Sequence, residues 1–133
     1  MPISASSRAA GIARAGAPRA SRLWPVRFRA RASAGHAAVA DAPRRLMICH
    51  TPPYDTRLDR LVNGTPVGSP AVRAFIETHA PDVAVVGHIH EGRGVERVGA
   101  TLVLNAGALR DGGYVVVEDD GHAVAAALRN VRA

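Results

Sequence analysis

The sequence predicts a mixed α/β domain of α+β character, with one clear helix and a mixed β-sheet, behind a disordered basic tail. Three observations predict it. Two short apolar runs, RLMICH (45–50) and VAVVG (83–87), each stop at a histidine; one cap-marked helix lies between them; and alternating segments follow, cut by Gly, Asn and Asp. RLMICH reads as a buried strand entering a loop, since a brief apolar run ends there in a polar residue. Residues 51–69, TPPYDTRLDRLVNGTPVGS, are rich in Pro, Gly, Asn and Asp and read as a long loop. Ser69 is placed to cap a helix and Pro70 to occupy its first turn, with Val72, Phe75 and Ile76 on one face. Pro81 ends that helix. VAVVG is the second strand, HIHEGRG a turn, and VERVG, TLVLN, GGYVVVEDDG and HAVAAAL are short strands separated by turns. No internal repeat is visible.

Charge divides the chain. Residues 1–45 carry nine Arg and a single acid, Asp41, a balance of +8, whereas residues 46–133 carry eight Arg and ten acids, a balance of −2. The whole-chain charge of +6 therefore describes a tail and not the domain. The organisation expected is an Arg/Ala-rich tail over 1–44 and a domain over 45–133. The first forty residues are almost wholly Ala, Arg, Ser, Gly and Pro and sustain no period of 3.6 or 2. Too few large apolar residues are present to offset chain entropy, so the segment is expected to be disordered. Two other origins stay open for it: an organellar transit peptide, or translation from a wrong start or shifted frame in GC-rich DNA. No secretory signal is expected, because no uninterrupted apolar core follows the first Arg.

Composition excludes several classes. One cysteine, Cys49, rules out an intramolecular disulfide framework and a Cys-rich zinc ribbon, and fits a reducing, cytoplasmic setting. No apolar run approaches the ~20 residues of a membrane-spanning helix. Aromatic residues make up only 4% of the chain, too few for a base-stacking platform.

The chemistry is concentrated in histidines. His50, His88 and His90 each follow a strand, in the crevice where ligands collect in open α/β sheets. In an extended segment residues i and i+2 share a face, so His88 and His90 can aim at one place while Ile89 turns into the core, with Gly87 giving room to bend. Three imidazoles near one point are costly as cations, and a divalent metal removes that conflict; ordinary surface turn histidines are the other reading of the pattern. His36, His79 and His122 read as ordinary solvated residues, and Glu91 as a solvated turn acid.

These residues resemble the C-terminal half of the calcineurin-like metallophosphoesterases. The likeness runs over roughly residues 45–120: ICHTPPYDT with His50, the helix start GSPAVR, the motif Gly87-His88-Ile89-His90-Glu91, and Thr101-x-x-x-Asn105-x-Gly107. Ala106 stands where the family usually has proline. The resemblance implies half of a four-layer α/β/β/α sandwich and a dinuclear centre of Mn, Fe, Zn or Ni that hydrolyses phosphate esters. It makes His50 and His88 ligands of one metal and His90 a ligand of the other. It assigns no catalytic or substrate-binding residue in this chain.

The family's D-x-H, G-D and G-N-H-D/E motifs, which supply carboxylates, an Asn ligand and the general acid, do not occur before His50; only His36 and Asp41 stand there, in no matching context. Two cations ~3.5 Å apart without a bridging carboxylate repel strongly. The expectation is a truncated phosphoesterase domain, inactive alone, with phosphate-ester substrates if the site is completed. The missing strands are expected to leave edges and apolar faces exposed at 45–49 and 83–87, favouring a complementing N-terminal half, a homodimer or poor solubility. The rival from another class is a non-catalytic nucleic-acid-binding or interaction protein using the tail, whose binding would fall steeply with salt and survive loss of the histidines. The acid-poor tract arises so readily in GC-rich coding that nucleic acid is the weaker expectation, and no membrane partner is expected.

Overall fold

The computed structural model describes residues 39–131. The expected disorder of the basic tail falls on residues outside that range, apart from 39–44. The fold is mixed α/β with one helix. The strands are β1 (Leu46–Ile48), β2 (Val83–Val86), β3 (Gly94–Val98), β4 (Thr101–Asn105), β5 (Gly113–Asp119) and β6 (Val124–Asn130), and the helix is α1 (Pro70–His79). The first four strands form one sheet in the order β1-β2-β4-β3, and β5 and β6 form a separate antiparallel pair. Within the larger sheet β1, β2 and β4 run parallel, while β3 returns antiparallel to β4.

Helix α1 forms where its caps specify. The Ser69 hydroxyl accepts from the Val72 amide at 3.1 Å, Pro70 fills the first turn, and Ala80 closes the helix in the left-handed conformation. Val72 and Ile76 are buried on the sheet, in a core with Leu58, Ala84, Val86, Val98 and Val103. Met47 and Cys49 pack against the same cluster. Residues alternate in direction along each strand, so Val83 and Leu104 are buried on the opposite side of the sheet, where β6 lies against β4.

That second layer is narrow. The open edge of the sheet is β1, with Leu46 50% and Ile48 79% exposed. Between it and the β5–β6 hairpin runs a shallow cleft of about 180 Å³ lined by Arg44, Arg45, Leu46, Val117, Asp119 and Val124. The exposed edge expected at 83–87 is not found: β2 is flanked by β1 and β4, and Val83, Ala84 and Val86 are buried. Strand β4, from the C-terminal part of the chain itself, covers the side of β2 that was expected to lie open.

Arg44 ties the cleft shut at one end. Its Nε donates to Asp119 Oδ2 at 2.7 Å and its NH1 to the Gly121 carbonyl at 2.9 Å. The Arg44 hydrogen bond first, then the Gly121 amide, holds the Asp119 carboxyl below its ordinary range. A depressed carboxyl pKa means the contact supports the fold above the ordinary carboxylate range and is lost as pH falls through the lowered value. In an acid titration followed by NMR, the Asp119 side chain is expected to protonate only below the range of a free aspartate; a midpoint at or above it refutes the contact. Among the described residues no helix is long and apolar enough to cross a membrane.

Candidate metal centre

Three parallel strands end side by side, and each delivers a polar side chain at its carboxyl end. His50 lies two residues beyond β1, His88 two residues beyond β2, and Asn105 is the last residue of β4, in register with Val86. The Gly87 amide donates to the His50 carbonyl at 3.0 Å, which locks the two histidine-bearing turns together. The rings meet: His50 Nε2 lies 2.9 Å from His88 Nδ1, with ring centroids 4.7 Å apart in an edge-to-face arrangement. Both residues are exposed.

His88 is brought there by an unusual backbone. Its φ is +66°, a left-handed conformation that non-glycine residues seldom adopt. The expected same-face geometry of His88 and His90 required an extended segment, and this φ breaks it. The positive φ falls on His88 and not on Gly87, where an added Cβ would meet the His50 carbonyl at an ordinary 3.8 Å. Ile89 does turn into the core, as expected, and is buried. His90 instead opens a 3-10 turn, His90–Gly92, and does not join the pair in a three-residue cluster. Among the described residues no three His, Cys, Asp or Glu side chains gather at one point.

The spacing of the pair is informative. Two nitrogens each ~2.1 Å from a shared cation lie about 3.0 Å apart at the right angle of an octahedral shell and about 3.4 Å apart at the tetrahedral angle zinc prefers. The observed 2.9 Å fits two imidazoles on a single ion; without one, an N–H of one ring donates to the other. The described residues therefore fit part of one cation's shell, and among them no third His, Cys, Asp or Glu completes it.

Two polar residues assigned no role in the sequence prove to frame the site. Asn105, wholly buried, donates from Nδ2 to the Ile89 carbonyl at 2.8 Å and the Leu58 carbonyl at 3.1 Å. Asp59, also wholly buried, accepts the amides of Asp55, Thr56 and Gly68 and so folds the loop after His50. The signals were there: a polar residue closing the apolar run TLVLN, and the spacing Thr56-x-x-Asp59 of a capping pair.

A family model described as metallophosphoesterase, calcineurin superfamily, matches residues 27–128. The chain belongs to the calcineurin superfamily of metallophosphoesterases. Members of this superfamily generally work with divalent metal ions, and their fold is the one seen here. A solved crystal structure with 31% sequence identity superposes with a TM-score of 0.60, over 78% of this chain and 39% of that one. The crystal structure of TT1561 of Thermus thermophilus, at 23% identity and a TM-score of 0.52, shares the fold over 79% of this chain and 42% of its own. The uncharacterized protein MJ1162 of Methanocaldococcus jannaschii is 36% identical over 63 residues, 44% of this chain and 29% of that protein. This metallophosphoesterase chain thus spans less than half the length of these relatives.

Proposed function

We propose that the chain is the C-terminal half of a metal-dependent phosphoesterase domain, supplies the histidines of its metal centre, and does not hydrolyse phosphate esters alone. The 2.9 Å contact of His50 and His88 at the ends of parallel strands carries this reading. On it, His50 and His88 would hold one divalent ion, Mn, Fe, Zn or Ni, and His90, which stands apart, would serve a second. Bound divalent ions neutralise phosphoryl oxygens and lower the pKa of a bound water. The protein's own part is to hold the imidazoles in place; the acids and the general acid come from a complementing half carrying the D-x-H, G-D and G-N-H motifs. The apolar edge at Leu46 and Ile48 supports a partner there, that half or a second copy. The domain spans residues 45–133, acts in the cytoplasm and takes a phosphate ester as substrate.

Calorimetric titration with Zn²⁺ is expected to show binding that drops at least tenfold in His50→Ala and in His88→Ala. Hydrolysis of bis(p-nitrophenyl) phosphate with Mn²⁺ is expected to be absent for the pure chain and to appear on mixing with a complementing half. Robust turnover by the pure chain, lost in His88→Ala, would overturn the half-site reading. Zn²⁺ binding unchanged by either substitution would overturn the assignment of the pair.

A further inference from the structure

We infer that Asn105 is a positioning residue for the His50–His88 pair: its buried amide holds the left-handed turn that turns the His88 ring onto His50. The inference rests on the reading of that pair as a cation site, although the positioning itself is a property of the chain.

Every hydrogen-bonding direction of this side chain but one is committed. Both amide hydrogens are used, toward the carbonyls of Ile89 and Leu58, and Oδ1 accepts from the Gly107 amide at 2.9 Å. A fully buried amide so engaged has one rotamer available, because any other strips the Leu58 carbonyl of its donor and leaves the Ile89 carbonyl with the Gly92 amide alone. Asn105 is also the residue where three chain segments meet: the loop at Leu58, the turn at Ile89 and its own strand end.

The bond to Ile89 matters most for His88. A non-glycine residue in the left-handed region costs about 1–2 kcal/mol and persists only where its surroundings over-determine it. On the N-terminal side, the Gly87 amide is held by His50. On the C-terminal side, the Ile89 amide donates to the Gly87 carbonyl at 2.8 Å, and the Ile89 carbonyl accepts from Asn105 Nδ2 at 2.8 Å and from the Gly92 amide at 3.1 Å. His88 is clamped from both directions, and Asn105 is the side-chain part of the clamp. Without Asn105 the Ile89 carbonyl keeps only the longer bond from Gly92, and His88 is expected to relax to negative φ, which swings its ring away from His50. The hydrogen bonds of Asn105 all go to backbone groups, so its influence passes through the backbone.

The test compares Asn105→Leu, which removes both donors at similar volume, with Val103→Ala, a fully buried position two residues earlier on the same strand. Both are made in the full chain. The first measurement is the ring-to-ring nuclear Overhauser contact between His50 and His88 without metal, and the second is Zn²⁺ affinity. Asn105→Leu is expected to lose the ring contact and to bind Zn²⁺ at least tenfold more weakly. Val103→Ala is expected to lower stability yet keep the contact and bind Zn²⁺ within twofold of the parent. The inference is overturned if Asn105→Leu keeps the ring contact, or if Val103→Ala loses it equally. Should Asn105→Leu not fold, Asn105→Ser, which retains a hydroxyl, is judged by the same two measurements. A parent chain that shows the ring contact but no Zn²⁺ binding sinks the metal reading alone, and the ring contact still decides the role of Asn105.

Discussion

Asp59→Ala is expected to cost about 3–5 kcal/mol, the penalty of deleting a buried charged partner and stranding the groups it satisfied. The Asp59 carboxylate is the hub of the loop after His50. Its Oδ2 accepts from Asp55 at 3.0 Å and from Gly68 at 3.0 Å, its Oδ1 accepts from Thr56 at 3.2 Å, and Arg60 Nε lies 3.6 Å from Oδ1. Alanine leaves those amides without an acceptor and Arg60 without one of its acids. A small domain has a total stability of about 5–15 kcal/mol, so the loss consumes a large share of it. Urea denaturation followed by circular dichroism checks the value, with Asp59→Asn as the isosteric control that keeps one acceptor oxygen. A cost under about 1 kcal/mol for alanine would mean that the loop does not depend on this carboxylate.

Gly92→Ala is expected to destabilise by about 3 kcal/mol, at the upper end for overpacking. The reason is steric and local. A Cβ at Gly92 would run into the Leu58 carbonyl oxygen, and its next neighbour, the Leu58 carbonyl carbon, would be only 2.7 Å away. Neither side can yield cheaply. Gly92 ends the 3-10 turn after the histidines, and the same Leu58 carbonyl is held from another direction by Asn105. The comparison is Gly99→Ala, in the turn between β3 and β4, where φ is +60° but nothing lies within 4 Å of an added Cβ. There the cost is the left-handed penalty alone, about 1–2 kcal/mol. Thermal denaturation of the two variants separates the effects; equal shifts would show that the Leu58 contact is soft.

The regular elements were legible because each carried a local signal. Ser69-Pro70 fixed the start of α1, the alternation in VERVG and TLVLN fixed β3 and β4, and the brief runs at 46–48 and 83–86 fixed the parallel strands. The pairing order was harder to read. Which strand covers β2 depends on contacts between distant residues, so the burial of β2 beneath β4 could not be seen in the strand itself. The candidate site divides in the same way. The nearness of His50 and His88 was legible because each follows a strand, and parallel strands end together. The arrangement of His90 was missed because the i, i+2 rule presumes extended backbone, and a left-handed His88 leaves no mark in sequence. Asp59 and Asn105 escaped assignment for a different reason. A polar residue at zero exposure reveals itself only through the backbone groups it serves, and those groups belong to other segments.

The separation between the two rings has a kinetic meaning. His50 and His88 stand 38 positions apart, whereas β3 and β4 are joined by a tight turn and β5 and β6 by a short one. Closing a long loop expends chain entropy before any contact repays it, so local hairpins form early and distant parallel pairings late. The imidazole pair therefore depends on the pairing of β1 with β2, the one in this sheet that joins the most distant segments of sequence.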